Sequence, residues 1–131
     1  MRKIAVLAAV LASLAACAGT PAPAGTDITA AQFQSDIVGK TLKYQSADAR
    51  YAVSSVSTYK PDGSLTGDWS SGGKSGHYEA TWKLNGNLVC VTEPNSNGGG
   101  TTCRAWRMTA PKVYAEVNPD GSLHGTTTVT Q

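Results

Sequence analysis

Between Tyr78 and Asn85 the chain alternates with a period of two. Tyr78, Ala80, Trp82 and Leu84 are apolar, and Glu79, Thr81, Lys83 and Asn85 stand between them. Successive side chains of a β-strand point to opposite faces, so the pattern predicts a strand with one dry and one wet face. Segments of the same kind are predicted at about 40–46, 51–59, 64–70, 76–85, 87–93, 101–109, 112–118 and 122–130, which makes eight short strands. Ahead of them, ITAAQFQSDIVG (28–39) has a period near 3.6, with Ala30, Phe33 and Ile37 on one helical face. Thr29 and Gln32 have capping-box spacing, Ile28 and Phe33 stand where a hydrophobic staple would, and Gly39 is placed to end the helix at C′. A helix this short does not persist alone in water, so it is expected to plug or lid the domain that follows.

The connections are short and rich in turn residues, which makes neighbouring strands antiparallel hairpins. PDGSL occurs twice, at 61–65 and 119–123. Pro supplies the first corner of a type I turn, Asp suits the second, and Gly takes the left-handed position that closes a three-residue hairpin loop. Such a loop sets Tyr59 opposite Leu65, Ser57 opposite Gly67 and Ser55 opposite Trp69. In the second copy it sets Val117 opposite Leu123 and Ala115 opposite Gly125. A calcium loop would need further acidic ligands at alternate positions, which Lys60, Ser64, Asn118 and Ser122 occupy. Read as a three-residue loop, Asn85-Gly86-Asn87 places Leu84 beside Leu88 and Trp82 beside Cys90, and residues 95–100 form a looser connection. The expected fold class is all-β: an eight-stranded antiparallel up-and-down, calycin-like barrel over 28–131, opened by a short N-terminal helix.

The N-terminus has a different layout. Arg2 and Lys3 precede an uncharged run from Ile4 to Leu14, too short for a bilayer-spanning helix of roughly 20 residues, and 1–16 reads as an export signal. Leu14-Ala15-Ala16-Cys17 resembles the lipobox of bacterial lipoproteins, which implies a lipid on Cys17 and cleavage just ahead of it. An ordinary cleavage site at Ala16-Cys17-Ala18, or a buried free thiol, are other readings of the same residues. AGTPAPAGT (18–26) has no side chain larger than Pro or Thr and cannot bury enough surface to offset chain entropy. Residues 17–27 are therefore read as a lipidated cysteine and a flexible tether.

Three cysteines are an odd number for an exported chain. With Cys17 acylated, Cys90 and Cys103 remain as a pair, and an oxidising compartment favours their disulfide, worth about 3 kcal/mol for a loop of this size. Facing each other across a hairpin, they would clamp the arms of the 95–100 loop. A metal is the competing use, but zinc takes four ligands, and His77 and His124 have no ligand spacing to either cysteine. Neither metal nor other cofactor is expected.

Without the signal, nine Lys and Arg balance nine Asp and Glu, so no nucleic-acid partner is implied. Gly72-Gly73-Lys74-Ser75 ends like a phosphate-binding loop, yet Asp68 stands where the first glycine belongs and Gly67 is one position early. Serines cluster as Ser54-Ser55 and Ser70-Ser71, and His77 and His124 flank turns as surface residues, with no base and orienting partner in view. Asp68 and Glu79 are the carboxylates a hairpin could pair. No catalytic residue, and no enzyme, is expected. Trp69, Trp82, Trp106, Tyr44, Tyr51, Tyr59, Tyr78 and Tyr114 could fill a core or line a cavity. An eight-stranded barrel is just wide enough to be filled or to hold one small ligand. In a chain poor in Ile and Phe, Trp82 and Tyr78 are read as filler, and no ligand-binding residue is identified.

The stretch from about Thr29 to Thr130 looks like small exported β proteins of alphaproteobacteria of unassigned function. The residues that carry the likeness are Val38-Gly39-Lys40-Thr41, Tyr59-Lys60-Pro61-Asp62-Gly63 and Trp82 to Cys90, with the second cysteine and the closing Asp120-Gly121 hairpin. Trp82-x-Leu84-x-Gly86-x-x-x-Cys90 is also similar to a pattern of the bacterial metalloprotease-inhibitor family, whose lipid-anchored outer-membrane members have an eight-stranded barrel and one disulfide. In that family a free N-terminal tail enters the protease cleft; no inhibitory residue is carried over. Ala18 rather than Asp after the lipidated cysteine resembles the sorting signal for the outer membrane. The expectation is a lipid-anchored outer-membrane protein with its domain in the periplasm or at the cell surface. Its membrane contact is the lipid, and the expected partner is an envelope protein or a secreted hydrolase. Its role is a non-catalytic binding or inhibitory module; a carrier of a small apolar ligand and a structural envelope component are the alternatives.

Overall fold

The computed structural model describes residues 19–131, so the signal at 1–16 and Cys17 lie outside the described residues. All eight predicted strands are present. They are β2 (Leu42–Ser46), β3 (Ser54–Tyr59), β4 (Ser64–Ser71), β5 (Lys74–Asn85), β6 (Leu88–Thr92), β7 (Thr101–Ala110), β8 (Val113–Val117) and β9 (Leu123–Val129), with a two-residue β1 (Thr26–Asp27) and the helix α1 (Ala30–Asp36) before them. Each barrel strand pairs antiparallel with its sequence neighbour, and β9 pairs with β2 to close the barrel. Closure leaves β2 to β9 without a free edge.

The helix forms as its caps dictate. The Thr29 hydroxyl accepts from the Gln32 amide while the Gln32 side chain accepts from the Thr29 amide, and Asn87 Oδ1 takes the Ala30 amide. Gly39 adopts φ 78, two residues beyond the Ile37 cap and so one later than expected. The helix closes one end of the barrel. Phe33, 1% exposed, enters between Tyr59, Trp82 and Trp106 with ring centroids 5.4, 5.5 and 5.1 Å away. Ile28, Ile37, Leu42, Leu65, Ala80, Val89, Tyr114 and Val129 complete this dry half.

Both PDGSL copies fold into the same turn, at opposite ends of the barrel. Asp62 and Asp120 each turn back on their own loop, accepting the amide and hydroxyl of Ser64 and Ser122, and Gly63 and Gly121 sit at φ 88 and 86. At the helix end, the Lys60 carbonyl receives the indole N–H of buried Trp82 at 2.9 Å. Tyr59 opposite Leu65, Ser57 opposite Gly67 and Ser55 opposite Trp69 hold as expected.

Three expectations are corrected. The β5–β6 loop has two residues, not three: Asn85 pairs with Leu88, and Trp82 meets Val91 instead of Cys90. Gly86 at φ 58 takes the first corner, as a type II′ hairpin requires, and the one-residue change turns Val89 and Val91 inward and Cys90 outward. In the last hairpin Val117 pairs with Leu123, but Gly125 pairs with Glu116 rather than Ala115. His124 is the extra residue of a bulge, which re-aims a side chain. Finally, residues 19–27 are not free of the domain. Leu123 N–H donates to the Thr20 carbonyl, Ala22 N–H to Gly121, and Ile28 N–H to Trp106, while Arg107 bonds Asp27 at 2.7 Å and the Pro23 carbonyl. The strap crosses β8, whose outward Ala115 and Val117 are buried. Its small residues are the reason it docks: a Cβ on Gly25 would strike the Met108 carbonyl.

Phe33→Ala removes the plug and is expected to lower unfolding stability by about 3–5 kcal/mol. Urea unfolding followed by tryptophan fluorescence measures it, and a loss below about 1 kcal/mol would mean that the helix does not hold the barrel.

Candidate functional site

Above the Phe33 cluster the interior is not filled. A cavity of about 370 Å³ runs to the open end of the barrel, at the loops 47–53, 72–73, 93–100 and 118–122. Its floor is apolar, with Leu42, Tyr59, Leu65 and Val91; its walls carry Tyr44, Trp69, Tyr78, Arg104, Glu116 and His124. Glu93 stands at the rim.

The space exists because three aromatic rings lie against glycines instead of crossing the lumen. Tyr78 pairs with Gly67 and Trp69 with Gly76, and a Cβ on either glycine would come within 2.8 Å of the ring. Tyr44 covers Gly125, where a Cβ would enter the ring itself. Glycine inside a strand marks such close approaches. Tyr78, read as filler, is thus a wall of the cavity, while Trp82 and Trp106 fill the core.

The polar groups are set deep. Glu116, 8% exposed, accepts from the Thr127 hydroxyl at 2.7 Å. Burial raises its pKa, opposed by that hydrogen bond and by the Arg104 charge. Burial, and then Glu116, keeps the Tyr44 phenol protonated well above its ordinary range, and its O–H donates to the His124 carbonyl at 3.2 Å. Burial, assisted by Arg104, pushes His124 down to about 4. The bulge brings this about. His124, expected at the surface, lines the cavity instead.

The other expected groups lie elsewhere. Cys90 and Cys103 face each other across β6 and β7 with sulfurs 2.05 Å apart, at the base of the 93–100 loop, the pairing expected from the cysteine count. His77 is exposed on the outer face, with Nδ1 2.9 Å from Asp68 and Nε2 3.8 Å from Glu79, so the two carboxylates flank an imidazole rather than a cleft. Gly72 and Gly73, at φ 56 and 77, form a tight hairpin turn. Among the described residues no serine hydroxyl is hydrogen-bonded to a histidine, and no three His, Cys, Asp or Glu converge as metal ligands. Arg104 and Glu116 were missed by sequence reasoning, although their positions in the inward parity of β7 and β8 carried the signal, while Tyr44, one of the aromatics that could line a cavity, does so.

His124 gives a pH prediction with a definite sign. Its folded pKa, about 4, lies below the ordinary imidazole value of 6.5, so the unfolded chain binds its proton first. The neutral form therefore loses its advantage as pH falls from 6.5 toward 4, by on the order of 2 kcal/mol at pH 5. Buried Glu116 acts in the opposite sense, because a raised carboxyl pKa favours the fold as pH falls through it. The informative quantity is the difference between wild type and His124→Asn in urea unfolding at pH 7.5 and pH 5. The variant should gain about 2 kcal/mol relative to wild type at the lower pH; a pH-independent difference would contradict the buried neutral imidazole.

Comparisons with protein-family models, with curated proteins and with solved structures return no match to this chain, which leaves the chemistry of the cavity as the ground for a role.

Proposed function

We propose that this protein is a non-catalytic binding module of the cell envelope, held at the outer membrane by a lipid on Cys17, which takes a small ligand into the open end of its barrel. The observation that carries the reading is the cavity of about 370 Å³, with aromatic walls, an apolar floor and a few inward polar groups. Ligand sites are built in this way: concave, mostly apolar, with a small number of placed polar groups, commonly at the mouths of barrels. Of the roles considered from sequence, carriage of a small ligand has the most support, with an amphipathic ligand in place of a wholly apolar one.

Protease inhibition has less. The resembling inhibitors use a free N-terminal tail, whereas Thr20, Ala22 and Ile28 here are hydrogen-bonded to the barrel. The anchor rests on the lipobox and on the cysteine count, since Cys90 and Cys103 are bonded to one another and Cys17 is left over.

Two measurements test the two halves. In ¹H–¹⁵N spectra with a panel of small amphipathic fragments, binders should shift the indole of Trp69 and leave those of Trp82 and Trp106, packed around Phe33, in place. A panel without hits at millimolar concentration, or hits that leave Trp69 unmoved, would defeat the cavity reading. With an alkyne fatty acid, label should enter the wild type and not Cys17→Ser, and the variant should leave the membrane fraction; equal labelling would defeat the anchor.

A further inference from the structure

One group in the cavity is out of balance. Arg104 projects inward from β7, and its guanidinium is a planar fork of donors with no acceptor of its own. Among the described residues no carboxylate lies within 4.0 Å of it, although Glu116 and Glu93 line the same cavity. Its only hydrogen bond to the described residues is Nε to Asn118 Oδ1, at 2.8 Å. Among the described residues neither terminal nitrogen has an acceptor, and Arg104 lines the cavity.

That single bond is well supported. Asn118 Nδ2 donates to Ser122 Oγ at 3.0 Å, and the Ser122 hydroxyl donates to Asp120 Oδ1 at 2.6 Å. The relay fixes which way the Asn118 amide points, and so the plane of the guanidinium. This is where the two PDGSL turns part: the first is preceded by Lys60, whose side chain makes no such relay, and the second by Asn118. The first turn receives the Trp82 indole on the Lys60 carbonyl. The other holds a cation in place.

Resting on the reading of the cavity as a ligand site, we propose that its ligand class is a small monocarboxylate, received by the two terminal nitrogens of Arg104, with its apolar body on the floor of Leu42, Tyr59, Leu65 and Val91. The planar fork of a guanidinium matches a carboxylate through two parallel hydrogen bonds. The single positive charge suits a single negative one. A phosphate dianion would bring a second negative charge into a cavity already lined by Glu116 and Glu93. The tyrosine phenols stay protonated, and His124 stays neutral above about pH 4, so neither competes with Arg104 for the anion as a second cation or adds a further negative charge. A cavity of this volume, at the lower end of the range for ligand pockets, selects a small molecule.

The test is calorimetric titration of the purified full-length protein with phenylacetate and octanoate, each beside its neutral amide, and with inorganic phosphate. The acids should bind about tenfold or more tightly than the amides, the difference a charge-assisted hydrogen-bond pair supplies, and phosphate should bind more weakly than either acid. Arg104→Gln should abolish the preference for acid over amide while leaving the amide's affinity within about threefold. Asn118→Ala should weaken the acids several-fold through Arg104 without touching the amides. Acids binding no better than amides, or phosphate binding best, would overturn the monocarboxylate while the cavity reading stands. Binding by none of these compounds would overturn both. The comparison of acid with amide on the unaltered protein needs no variant to fold, and near-ultraviolet circular dichroism checks the two that are made.

Discussion

The insertion of one ring, Phe33, into one end of the barrel organises the rest of the structure. Phe33 meets Tyr59, Trp82 and Trp106 within 6 Å between centroids, mostly edge to face, as aromatic quadrupoles prefer. An eight-stranded barrel cannot be closed at both ends by side chains and still hold a ligand. Here the helix supplies the filler for one half from outside the sheet, so the strands need not supply it for the other. The dry half carries the stability, and the open half is released from it.

In the open half, stability and space are reconciled by glycine. Gly67, Gly76 and Gly125 weaken their strands as backbone, yet each gives an aromatic ring a flat wall to lie on. The rings stay rigid without occupying the lumen. The bulge at His124 does comparable work on the last hairpin, turning an imidazole and the Glu116 carboxyl toward the interior where regular pairing would have left Ala115 facing Gly125. Burial then keeps the imidazole neutral and the phenols protonated, which leaves Arg104 as the one cation among the cavity's lining residues.

Much of this was legible in the sequence, for physical reasons that also explain the misses. The alternation in 78–85, the paired PDGSL turns and the capping box at Thr29 are local signals, and the strands, the register of β3 on β4 and the helix N-terminus followed them. Gly86 misled by one residue, because Asn85-Gly86-Asn87 suits both a two- and a three-residue loop and only cross-strand packing of Val89 and Val91 against the core decides between them. The bulge at His124 depends on what it faces, namely Arg104 and Glu116, which no local pattern encodes. The strap at 19–27 was misjudged because its lack of bulk was counted as a lack of contact; backbone hydrogen bonds and close approach at Gly25 need no bulk. The cavity itself was within reach, since glycines at inward positions opposite aromatics are a readable sign.

If Cys17 carries the proposed lipid, the route of that strap sets an orientation. Gly19 lies against Ser122, in the turn at the open end of the barrel, and only Ala18 separates it from Cys17. At roughly 3.5 Å per residue, acyl chains on Cys17 would leave the protein within about 7 Å of the rim. Because the next residues are fastened along β8, the lipid would not swing on a long leash; it would aim the barrel. The doorway would then look onto the headgroup layer, and a guest with an apolar body and one acidic end, the kind of molecule that partitions into that layer, would pass between bilayer and barrel with little exposure to bulk water.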